Sequence, residues 1–128
     1  TGRMLLSAGG MGVTFASDYP NSDSYYRLRV ESASKTFYLS PHNASVSGDI
    51  ETNVSPDTGK WYRFAIEWAD TGSATSIKAK VWLDSGEEPA AWQIDAADSS
   101  SGHFTNCRVG VWSMYGAGNS WDGLSVAY

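Results

Sequence analysis

A single cysteine, Cys107, among 128 residues excludes an internal disulfide framework and a cysteine-built zinc site. The only two histidines, His42 and His103, are too far apart for a metal pair on one helix. Cations are few: nine Lys and Arg stand against 14 Asp and Glu, a formal net charge of −5. That balance argues against a nucleic-acid partner, whose phosphates call for a basic stripe. No apolar run approaches the length of a membrane-spanning helix, so no membrane partner is expected. Thr1-Gly2-Arg3 is followed by only a few apolar residues before Gly9-Gly10, which is no leader pattern, and the start at Thr1 suggests a piece of a larger protein. No segment keeps a helical period.

Aromatic residues and glycine are plentiful instead: six Trp, seven Tyr, four Phe and 13 Gly. They are arranged as short alternating runs between turn signals. From Lys60 to Asp95, Tyr62, Phe64, Ile66 and Trp68 alternate with Trp61, Arg63, Ala65 and Glu67. After the turn Asp70–Ser73, Ile77, Ala79, Val81 and Leu83 alternate with Ser76, Lys78, Lys80 and Trp82. A second turn, Asp84–Pro89, leads into a third run, Ala90–Ile94. A period of two places one set on a core face and the other outward, so the stretch predicts an antiparallel meander.

The rest of the chain reads the same way. A first strand is expected from about Leu5 to Ser17, a second over Tyr25–Glu31 and a third over Lys35–Ser40. The second buries Tyr26, Leu28 and Val30 and presents Tyr25, Arg27 and Arg29; the third sets Phe37 and Leu39 against Thr36 and Tyr38. Asp49–Val54 is a short candidate strand. His103–Ser113 is expected to turn Cys107, Val109 and Val111 inward, with Arg108, Gly110 and Trp112 outward. Tyr115–Asn119 is a Gly-rich loop, and Leu124, Val126 and Tyr128 make a last strand. With no internal repeat and no linker, residues 1–128 form one domain, predicted to be all-β: a two-sheet antiparallel β-sandwich.

The segments KWYRFAIEW, SIKAKVWLDSGEEPAAWQI, CRVGVWSMYG and WDGLSV resemble the laminin-G-like, concanavalin-A-like jelly-roll modules of secreted bacterial and environmental proteins. The matching positions are Gly59, Trp61 and Tyr62; Lys78, Trp82, Asp84, Gly86, Glu88, Pro89 and Trp92; Val109 and Gly110; and Asp122 and Val126. Arg108 replaces a glycine of the pattern, and Ser85 is inserted. The resemblance implies a jelly roll, an extracellular location and glycan- or protein-binding roles. Such modules begin with an extra strand that pairs with the last one, and nothing before Arg3 supplies it.

Catalytic signals are thin. Asp49 and Glu51 echo the Glu-x-Asp-x-Glu strand of jelly-roll glucanases, but Ser47 stands where the leading nucleophile belongs. Cys107 reads as a small core hydrophobe, and no nucleophile elbow surrounds any serine. Asp122 is at most one calcium ligand of the six or more required, so no cofactor is predicted. Trp82 and Trp92 flank one turn and read as a structural clasp. What remains is a surface suited to sugars, with flat aromatic rings and a few placed polar groups. Arg27, Tyr38 and Arg63 would converge if the Tyr25, Lys35 and Lys60 strands are neighbours in one sheet, with Tyr25 on the same outward face and Trp112 and Tyr115, near the Gly-rich loop, as further candidate contacts. The resulting expectation is a non-catalytic polysaccharide-binding module beside neighbouring domains of a parent chain. The alternatives are a protein-interaction or structural module and a degenerate β-glucanase-like hydrolase or lyase-like enzyme.

Overall fold

In the computed structural model, which describes residues 1–128, the chain forms ten strands and no helix. They are β1 (Gly2–Leu5), β2 (Gly10–Ser17), β3 (Tyr26–Val30), β4 (Tyr38–Leu39), β5 (Ser47–Asp49), β6 (Trp61–Asp70), β7 (Thr75–Leu83), β8 (Ile94–Asp98), β9 (Arg108–Met114) and β10 (Ser120–Asp122). Two antiparallel sheets result: six strands in the order β10-β1-β6-β7-β8-β5, and four in the order β4-β3-β2-β9. They pack as a sandwich.

The period of two decides which side chains fill it. Met11, Val13 and Phe15 of β2 meet Tyr26, Leu28 and Val30 of β3 on one inner face, joined by Phe37 and Leu39. Tyr62, Phe64, Ile77, Ala79, Val81, Ile94 and Ala96 supply the other. Ile66 and Trp68 also turn inward, though half-buried, and the Trp68 ring packs tilted against Phe15 with centroids 5.4 Å apart. Burying alternating faces against each other is what lets two amphipathic sheets stabilise one domain.

Several boundaries differ from expectation. The first strand is two, because Leu6–Gly9 turns the chain from one sheet to the other. Gly2–Leu5 thereby supplies an N-terminal strand, against the expectation that none precedes Arg3, and pairs with β10 on one side and β6 on the other. The last strand lies earlier, at Ser120–Asp122, and Leu124, Val126 and Tyr128 are exposed. The strand after the Asp84–Pro89 turn begins only at Ile94. Ahead of it, the Gln93 side chain accepts from the Val81 N–H at 2.8 Å and donates to the Val81 carbonyl at 3.2 Å, a side-chain substitute for strand pairing.

The expected inward set of β9 is not buried. Cys107 precedes the strand and is exposed. Val111 does share a face with Val13, its register partner, yet it is 52% exposed and Val109 is 47% exposed. The reason is position: β9 is an edge strand, and Val109 lines an open apolar cavity with Phe64, Ile66 and Trp68 of the other sheet rather than a closed core. Alternation reports the direction of a side chain; only the opposing layer determines burial.

Candidate functional site

The outer face of the four-stranded sheet carries the densest set of polar and aromatic groups. Antiparallel register sets it out in rows. Trp112 lies opposite Gly12, Gly12 opposite Arg29, Arg29 opposite Tyr38, and Tyr38 bridges to Glu51. In the next row Gly110 faces Thr14, Thr14 faces Arg27, and the Arg27 guanidinium donates to the Ser40 hydroxyl at 3.1 Å. Beyond that, Tyr25 bridges to His42 and their rings stack at 4.9 Å.

Gly12 makes the first row possible. A Cβ there would sit 2.3 Å from the Leu28 carbonyl oxygen and 2.8 Å from the Arg29 backbone, so no side chain fits between β2 and β3. With the position bare, the Trp112 indole lies across β2 onto the arginines of β3. The Arg27 and Arg29 guanidinium carbons are 4.7 and 5.0 Å from its ring centre. Each arginine also meets a tyrosine: Arg27 with Tyr25 at 5.6 Å and Arg29 with Tyr38 at 5.4 Å. Cation–π attraction of this kind strengthens as the partners leave water.

The two arginines are not equivalent. Arg29 donates to the Tyr38 hydroxyl at 3.0 Å and forms an ion pair with Glu31 at 2.9 Å. Arg27 is only 7% exposed, and its Nε has no hydrogen-bond partner. No carboxylate is paired with it. Burial, and then the adjacent Arg29 charge, pull its pKa below the ordinary arginine value. A buried cation held by ring faces and one hydroxyl is costly unless something compensates it.

Of the six sequence candidates, the structure brings together Tyr25, Arg27, Tyr38 and Trp112. Arg63 does not join them. Its strand belongs to the six-stranded sheet, and it lies in the row Asp122–Arg3–Arg63–Trp82 on the opposite outer face. There it pairs with Asp84 at 2.5 Å; Arg3 pairs with Asp84 at 3.0 Å and with Asp122 at 2.7 Å while sitting over Trp61. Asp122, the candidate calcium ligand, is thus held by Arg3. Tyr115 projects from the loop after β9 and is 92% exposed.

The outer face of the meander is partly closed by its own chain. Lys80, expected on the polar side, is buried with its neighbour Ala65. Its ammonium donates to the Pro89 carbonyl and pairs with Glu88 at 2.7 Å, and Trp92 packs 4.8 Å from it. The turn between β7 and β8 therefore folds back as a clasp.

The alternating carboxylates are divided as well. Asp49 sits in β5 opposite Asp95, whereas Glu51 leaves that sheet to bridge Tyr38 and accepts a hydrogen bond from Thr36 at 2.7 Å. Arg29, which alternation already places on the outward face beside Arg27, joins the site, and Ser40, His42 and Gly12 are added to it by the structure. The pairing of Tyr25 with His42 across an intervening turn had no sequence signal. The fold and site together define a β-sandwich with an arginine–aromatic outer face. Compared with protein-family models, curated proteins and solved structures, the chain matches none.

Proposed function

We propose that the protein is a non-catalytic carbohydrate-binding module of jelly-roll, concanavalin-A-like type, part of a secreted protein. It would hold a neighbouring domain at a polysaccharide and raise local concentration by tethering. The observation that carries this reading is the row Trp112–Arg29–Tyr38, flanked by Arg27 and Tyr25, on one outer face. Indole and phenol faces suit the C–H faces of sugar rings, while guanidinium and hydroxyl groups suit their oxygens.

The test is titration with a panel of soluble glycans followed by tryptophan fluorescence and calorimetry. Saturable quenching is expected, with Trp112→Ala losing roughly 2 kcal/mol or more of affinity, as removal of a central aromatic anchor does. A panel with no binder would overturn the proposal. The second reading, a protein-interaction module, is favoured by the exposed apolar residues Val109, Val111, Leu124 and Val126.

A further inference from the structure

We infer that the glycan taken by the arginine–aromatic face is anionic, bearing carboxylate or sulfate groups, and that Arg27 and Arg29 select it. The inference rests on the glycan-binding reading of that face. Its basis is a charge left uncompensated by the fold. The carboxylates on and around this face are each engaged elsewhere: Glu31 with Arg29, Glu51 with Thr36, and Asp23 with His42 at 3.0 Å. None is paired with Arg27, a residue only 7% exposed whose buried Nε–H has no acceptor.

A cation shielded from water and lacking a counter-charge favours an arriving anion over a neutral hydroxyl, because the anion alone relieves its desolvation. Arg29 strengthens the case. It stands two residues away on the same face, and both guanidiniums lie against the one indole. Two like charges held this close repel each other, and a shared anion converts that repulsion into attraction. Guanidinium also matches carboxylate and sulfate oxygens with paired N–H groups, which a lysine cannot do. The protein's overall charge of −5 opposes nonspecific attraction of polyanions, so binding of one would have to arise at a local site.

The experiment compares acidic glycans with their neutralised counterparts by calorimetry: polygalacturonate against its methyl ester, and carrageenan against its desulfated form, with laminarin and mannan as neutral controls. The expected result is at least about tenfold tighter binding of an acidic member than of its partner, weakening as salt is raised from low to physiological strength. Preference confined to the first pair identifies carboxylate as the recognised group, and preference confined to the second identifies sulfate. Arg29→Gln and Arg27→Met should each abolish the preference, while Lys78→Gln on the other sheet removes one positive charge and leaves it unchanged.

Thermal melts of the variants accompany the titrations. Arg27→Met is expected to melt no lower than the parent, because losing a buried charge with no carboxylate partner offsets the lost Ser40 hydrogen bond. Equal or tighter binding of the neutral partners would overturn the anion inference and leave glycan binding standing. No binding to any member would overturn both. An acid preference that survives both arginine variants would also end the inference.

Discussion

At the scale of single residues, the bare position at Gly12 does most to shape the outer face. A side chain there would collide with backbone atoms, which cannot move aside as the end of a flexible side chain can. Gly12→Val should therefore destabilise the protein by roughly 1–3 kcal/mol or more in urea titrations, as overpacking does. It should also displace the Trp112 indole. Gly102 provides the contrast: a Cβ there meets nothing within 4 Å, and Gly102→Ala should change stability by no more than about 0.5 kcal/mol. Equal effects at the two positions would refute the steric account. Arg27 shows a residue whose stabilising and functional roles pull apart, since the same lack of a counter-charge that weakens the free protein equips it to hold an anion.

At the scale of elements, two polar clusters fasten loops onto the sheets. The Tyr26 hydroxyl, fully buried, donates to Asp98 of β8 at 2.8 Å and accepts from the Phe104 N–H at 3.1 Å. Burial above all raises its pKa to about 12, so it stays a donor at every ordinary pH. Burial would raise Asp98, but hydrogen bonds from Ser100 and Tyr26 outweigh it and hold the carboxyl below its usual value. Tyr26→Phe leaves one buried Asp98 oxygen and the Phe104 N–H without their shared partner, and should cost roughly 1–3 kcal/mol by equilibrium unfolding.

The second cluster centres on His103, whose ring faces the Ser100 carbonyl at 2.8 Å and Asp70, the last residue of β6, at 3.3 Å. The Ser100 carbonyl, and then Asp70, raise its pKa. Asp70 is lowered by the Gly72 N–H and then by His103. A raised histidine contributes stability that is complete below its unfolded value of about 6.5 and is lost as pH climbs through the folded value. A lowered carboxylate contributes above about 3.8 and loses that contribution as pH falls through its folded value. The clasp should thus be strongest between roughly pH 4 and 6.5. Melting curves of His103→Gln should lie below the parent at pH 5 and converge with it as pH rises past the raised histidine value; a constant offset would discount the clasp.

At the scale of the whole molecule, one side chain joins the two sheets near the site. Asn119 accepts from the Ser7 and Ala8 N–H groups at 2.8 and 3.2 Å. Its amide donates to the Ala8 and Gly10 carbonyls and to the Ser113 hydroxyl at 3.0–3.1 Å. It thereby ties the β1–β2 turn to β9, the strand that carries Trp112. Asn119→Ala should lower stability by roughly 1–3 kcal/mol and also weaken glycan affinity, because the edge strand is no longer held in place. Unchanged affinity in a folded variant would show that β9 is positioned by its own pairing alone.

Alternation alone is enough to predict an all-β chain, the inward sets of β2, β3, β6 and β7, and the outward direction of Tyr25, Arg27, Tyr38 and Trp112. Those follow from backbone geometry within a single strand. Tertiary structure alone decided which strands are neighbours. It separated Arg63 from Arg27, moved Glu51 away from Asp49 and set Trp112 over two arginines more than 80 residues earlier in the chain. It also left Val109 and Val111 uncovered at an edge. Alternation gives a side chain its direction, whereas what it meets there depends on contacts between distant segments, which no local pattern encodes.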